Sequence, residues 1–213
     1  MKKKKVDIYH LLKGTWDDGT RPKDIFASIV RDHSKAYVSE IIAGISCGES
    51  KIENGCAELA SLVSEKFPEQ VYPHVKVFID NIDERQKKVL RWEAVCVLGS
   101  LARVDKGGII VPVIPKIKMH LRDKSIVLAG HAVRALSKMA VAYPDHTMDI
   151  FNALTTAADA FPGNKIGFVI EAMAPIIELN RINDEIRSFV QPYAQSPVKV
   201  VARKTAKVLR MLS

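Results

Sequence analysis

The sequence predicts an all-α protein, a stack of about five helical hairpins behind an N-terminal helical cap. Three observations carry this. One apolar pattern recurs along the chain, breaker clusters punctuate it at matching intervals, and no stretch alternates with period two between hairpin turns.

The pattern is clear in residues 56–62, 94–102, 132–140 and 172–179, and weaker in 205–212. Aligned on Leu59, Leu98, Leu136, Ile176 and Leu209, the steps are 39, 38, 40 and 33 residues. Four residues before each anchor stands a small side chain: Gly55, Ala94, Ala132, Ala172 and Thr205. Three residues after it stands a large apolar one: Leu62, Leu101, Met139, Leu179 and Leu212. These spacings put small and large residues on one helical face, where the small residue lets a neighbouring backbone approach.

Another amphipathic stretch precedes each of these helices, over residues 37–45, 72–82, 111–121, 149–160 and 185–194. Breakers separate the partners at 48–50, 83–85, 122–124, 162–164 and 195–197. Further turns fall at 66–68, 106–108, 143–145 and 180–184. Residues 109–114 are β-branched, but their two-proline context and their place in the period predict a helix start. Ahead of the repeats, 6–13 reads as a short helix, 14–20 as a loop and 23–33 as a helix. Residues 1–33 therefore form a basic tail and a cap, and 34–213 one continuous array.

With 47% hydrophobic and 26% charged residues, the composition is that of a globular chain able to build its own core. No apolar run is long enough to span a membrane. The basic start at residues 1–5 is followed by Asp7 and His10, which interrupt any signal-peptide core, so a cytoplasmic protein is expected. The three cysteines, Cys47, Cys56 and Cys96, form no CxxC pair and read as small buried apolar side chains. The six histidines never fall at a metal-ligand spacing, and no nucleophile elbow or phosphate loop occurs. No catalytic residue, metal, cofactor or small-molecule substrate is expected.

The net charge of +8 is uneven. Residues 85–138 hold 12 basic against 3 acidic residues, and 185–213 hold 6 against 1, whereas 6–84 and 139–184 are net acidic. Such asymmetry suggests an acidic or polyanionic partner.

The third unit resembles the HEAT repeat. Pro115, Asp123, Ala132 and Leu136 stand where that family places its proline, aspartate, alanine and leucine. The family's basic residue after the turn is Ala129 here, and Arg91 holds that place in the second unit. The resemblance covers residues 34–213. It implies a right-handed α–α solenoid whose second helices line the concave side, and a scaffold that binds proteins rather than an enzyme. On that geometry Trp92, Cys96, Gly99 and Arg103 fall on the open wall, as do the rows Ala57, Cys96, Arg134, Ala174, Lys207 and Ser61, Ser100, Lys138, Glu178, Met211.

The candidate binding residues are Lys87, Lys88, Arg91, Trp92, Arg103, Lys106, Arg134, Lys138, Arg203 and Lys207. Two readings stand. One is a scaffold with a protein partner. The other is a nucleic-acid groove over the basic block 85–138 with Trp92 as a stacking residue. The second admits a similarity to the HEAT-like alkylpurine DNA glycosylases, although Trp16-Asp17-Asp18 lies in a loop and does not supply their tryptophan–aspartate signature.

Overall fold

The computed structural model describes residues 6–17, 19–83 and 87–212. The lysine-rich start at 1–5, Asp18, and Glu84 and Arg85 of the 83–85 turn lie outside the described residues. Those described are helical, with no strand among them. They gather into two compact units that meet in sequence between Asp105 and Lys106.

The first unit holds α1 (Ile8–Leu12), α2 (Pro22–Ile25), α3 (Ser34–Gly44), α4 (Ser50–Lys66), α5 (Pro68–Val71), α6 (Val75–Asn81) and α7 (Lys88–Leu101). Its centre is α4, which packs on α1, α2, α3, α5 and α7. Ile52, Cys56, Leu59, Ala60 and Val63 recur at helical spacing along α4 and are fully buried. The helix stops at Phe67, which the following Pro68 forces out of the α region to φ −135°, ψ 60°. The capping helices α1 and α2 lie directly on α4. The loop between them is held by Trp16, at φ 67°, whose indole Nε1 donates to Leu12 O at 2.8 Å beneath the Lys51 ammonium.

The second unit holds α8 (Ile114–Met119), α9 (Ile126–Ala142), α10 (Thr147–Thr156), α11 (Ile166–Ala172), α12 (Ala174–Ile177), α13 (Asn183–Val190) and α14 (Lys199–Met211). Asp123 Oδ1 accepts the Ser125 N–H at 2.8 Å, and Ser125 Oγ in turn caps α9 by accepting from Leu128 N. At its far end α9 stops at Tyr143, held at φ −125°, ψ 80° before Pro144, the same device that ends α4. Residues 109–114 turn and enter a 3₁₀ turn at Val111–Val113 before α8, as their prolines predict.

The expected first helices are present but divided. Pro73, Pro112 and Pro192 each sit in a 3₁₀ turn that leads into or out of the α segment. The second helix of the fourth hairpin is also broken, because Pro175 cannot donate to the α11 ladder and restarts the chain as α12.

All five small positions, Gly55, Ala94, Ala132, Ala172 and Thr205, are buried, and so are the anchors Leu59, Leu98, Leu136 and Ile176. At the fifth anchor the register slips by one. Val208 is buried and Leu209 only half so, because α14 turns Val201, Thr205 and Val208 inward. Leu101 and Met139 are buried, whereas Leu62, Leu179 and Leu212 are half-exposed at helix ends.

Polar ties recur one hairpin apart. Tyr9 donates to Glu40 O, Lys87 to Glu53, Tyr72 to Asp105, Arg103 to Glu65 O, Lys118 to Asp149, Ser137 to Ala172 O and Lys204 to Glu171, at separations of 31 to 38 residues. Polar side chains of several types therefore bridge to elements 31 to 38 residues away in the chain.

Two helical glycines, Gly44 at the end of α3 and Gly130 inside α9, have opposite tolerances. A Cβ on Gly44 would overlap the Cys56 sulfur and stand 2.9 Å from Tyr9 Cε1, both on facing helices. A Cβ on Gly130 meets only Phe168, at 3.8 Å. Gly44→Ala should therefore destabilise by about 1–3 kcal/mol through overpacking, with part of the loss recovered in the Cys56→Ala background. Gly130→Ala should be neutral or stabilising by up to about 1 kcal/mol through helix propensity. Urea titration of the variants checks both signs.

Candidate functional site

The ten candidate residues divide between the units. Lys87, Lys88, Arg91, Trp92 and Arg103 belong to the first, and Lys106, Arg134, Lys138, Arg203 and Lys207 to the second.

In the first unit two of the candidate cations have partners on α4. The Lys87 ammonium stands 2.9 Å from the carboxylate of Glu53, which is only 4% exposed and also accepts the Gly48 N–H at 3.1 Å. Arg103 spends a guanidinium donor on Glu65 O at 2.9 Å, at the C-terminal end of α4. These two cations tie α4 and α7 together at opposite ends. Ala57, Gly99 and Ser100, expected on an open wall, are buried. The cause is the packing of α4 along α7: small side chains at these positions let the two helices close on each other. Cys96 is half-buried between them in sequence. Trp92 is half-buried too, with its indole Nε1 enclosed. Lys88 is exposed at the start of α7, and Arg91 is half-buried beside it in sequence.

Of the three thiols expected to be buried, Cys56 is buried, Cys96 half-buried and Cys47 exposed. Cys56 is buried, and burial first, then Cys47 and Glu40, pushes its thiol up to about 12. Cys47 instead is exposed, because it sits in the turn that Gly48 makes at φ +84°. A maleimide should therefore label Cys47 in the native protein and Cys56 only after unfolding, as read by peptide mass spectrometry.

The second unit presents an exposed face across three helical rows. On α9, Val127, His131, Arg134 and Lys138 recur at helical spacing, with Arg134 and Lys138 exposed. Next to it, α11 and α12 expose Glu171, Pro175 and Glu178. Beyond α11 lies α14, which exposes Lys199, Arg203, Lys207 and Arg210. The order is basic, acidic, basic. The rows are joined by Lys204 of α14, whose ammonium lies 2.7 Å from Glu171 Oε2 and 5.5 Å from the centre of the Phe168 ring. Lys106 is exposed in the turn that opens the unit.

On the first helices, Lys118 pairs with Asp149 at 2.7 Å and Arg122 with Asp159 at 2.8 Å, so part of the basic block is neutralised by the next hairpin. Open hollows lie beside these helices, one lined by Pro115, Met119 and Asn152, another by Phe151, Asp184 and Phe189. No three metal-ligating side chains converge among the described residues, and no helix is long and apolar enough to cross a membrane.

Sequence reasoning missed the row one residue before each small position: Asn54, Glu93, His131, Glu171 and Lys204. Every member is polar, a signal visible once the repeats are aligned. Glu171 and Lys204 of this row form the ion pair just described.

The described residues define an all-α protein. No family model matches the chain, and no curated protein does. Among solved structures it is similar to three engineered proteins determined by the Northeast Structural Genomics Consortium. The first is 14% identical, with a TM-score of 0.64 over 98% of this chain and 99% of that one. The second is 15% identical, with a TM-score of 0.60 over 97% and 96%. The third is 15% identical, with a TM-score of 0.58 over 96% of this chain and 57% of the larger one. At these identities the likeness is one of fold.

His131 gives the second unit a pH dependence. Burial, with Arg134 adding repulsion, pushes its imidazole down from 6.5 to about 4. Above pH 6.5 the imidazole is neutral in folded and unfolded chains alike. As pH falls from 6.5 towards 4 the unfolded chain takes up a proton that the folded one refuses, so stability is lost across that window. The loss should approach about 3 kcal/mol, and His131→Gln should flatten it in denaturant titrations at successive pH values.

Proposed function

We propose that this protein is a non-enzymatic HEAT-like repeat scaffold that binds a protein segment. The observation that carries the reading is the exposed face of the second unit, where Arg134 and Lys138, then Glu171 and Glu178, then Arg203 and Lys207 follow one another across α9, α11–α12 and α14. A polyphosphate favours an uninterrupted row of cations. A folded or extended polypeptide can match alternating signs with its own side chains. The face is broad and open rather than enclosed, which suits a macromolecule better than a small substrate. The resemblance of the third hairpin to the HEAT repeat supports the same role, and the engineered neighbours bear on the fold only.

A nucleic-acid reading is favoured by one specific observation, the exposed Arg134, Lys138, Arg203 and Lys207. Against it stand Glu171 and Glu178 between them, and the use of Lys87 and Arg103 as ties within the first unit.

Titration of labelled duplex DNA across a salt series separates the two. The scaffold reading expects no more than weak, millimolar-range association near ~150 mM salt. Micromolar binding with a salt slope of several phosphates, strengthened by Glu178→Lys and weakened by Arg134→Glu, would overturn it.

A further inference from the structure

The C-terminal helix α14 divides cleanly into two faces. Val201, Thr205 and Val208 point into the core, and Lys204 reaches sideways to Glu171. Lys199, Arg203, Lys207 and Arg210 stand on the opposite side, all exposed. At 100° per residue the four fall within roughly a quarter of the helix circumference, directly away from the buried stripe. None of them is in an ion pair among the described residues, and the only hydrogen bond given to one of them is from Arg210 Nε to Ala206 O of its own helix. Like charges one turn apart repel and cost a helix stability. Four such cations kept on one face, while Glu171 on the neighbouring helix is paired with Lys204, mark a surface suited to counter-charge from elsewhere.

The shape of the patch narrows the partner. From Lys199 to Arg210 the cations extend about 16 Å along the helix. Across the helix the patch is a single row wide, because the adjoining α11–α12 row exposes Glu171 and Glu178. A duplex about 20 Å across would lay phosphates over those carboxylates as well as over the cations. A single polypeptide segment would not. In the middle of the row sits Ala206, exposed and small, where a partner backbone can come close, and Met211 is 40% exposed at its edge. Charge complementarity therefore favours a slim acidic peptide with a minor apolar contact.

Resting on the scaffold reading above, we infer that the exposed face of α14 is a docking surface for an acidic protein segment whose carboxylates meet Lys199, Arg203, Lys207 and Arg210. The spacing of the cations is that of successive helical turns, so an acidic helix lying alongside α14 presents its carboxylates in register.

The test uses a fluorescent acidic helical peptide carrying glutamate at the same i, i+4, i+8 and i+11 spacing, its glutamine counterpart, and labelled duplex DNA, each titrated with the full chain at ~50 mM salt, where screening is modest. The glutamate peptide should bind and the glutamine peptide should not. The double variant Arg203→Glu/Lys207→Glu should weaken glutamate-peptide binding by about tenfold or more. Lys124→Glu/Lys165→Glu, which makes the same change in net charge at exposed turns of the same unit, should leave it nearly unchanged. Circular dichroism establishes that both variants are folded. Equal weakening by the two double variants would overturn the assignment to α14 while leaving the scaffold reading in place. Binding of DNA but not of peptide, abolished by the α14 variant, would overturn both. Binding of neither would overturn the assignment as well.

Discussion

Close stacking through a small side chain is the constraint on which the rest depends. Gly55 shows it most directly: a Cβ there would stand 2.5 Å from Leu12 Cδ2, and Leu12 is itself fully buried. Ala94, Ala132, Ala172 and Thr205 hold the corresponding place in the later hairpins and are equally enclosed. One turn on, Leu59, Leu98, Leu136 and Ile176 fill the volume that this close approach leaves beside it. The register of each hairpin follows from that pair of positions.

Once the register is set, polar side chains fall opposite partners in the next hairpin. The buried Glu53 carboxylate receives Lys87 and the Gly48 N–H, so its desolvation is offset by two donors. Asp105, also buried, accepts from Tyr72, which raises the pKa of the phenol. Ser137 reaches Ala172 O across the α9–α11 seam. These bonds hold neighbouring helices together without enlarging the core.

The same register decides where charge remains available. Lys118 and Arg122 meet acids of the following hairpin, Lys204 meets Glu171, and Lys87 and Arg103 close the α4–α7 seam. In the second unit Arg134 and Lys138 on α9 and the four-cation face of α14 are exposed, with Glu178 exposed on the row between them. A chain with net charge +8 thus offers narrow basic rows rather than a broad basic field.

Sequence alone determined the helical class, the five buried small positions and four of the five anchors, because each depends on the 3.6-residue period and on breakers such as Phe67-Pro68 and Tyr143-Pro144, which are local. It also placed Arg134, Lys138, Arg203 and Lys207 on exposed positions. Only the tertiary structure decided that Ala57, Gly99 and Ser100 are closed in, that Cys47 is open while Cys56 is shut, and that Lys87 and Arg103 meet Glu53 and Glu65 O of α4. Those outcomes depend on how far one helix advances against its neighbour some 31 to 38 residues away. A shift of one residue turns a side chain by 100° about the axis, enough to move it from solvent to seam, and no local spacing specifies that offset.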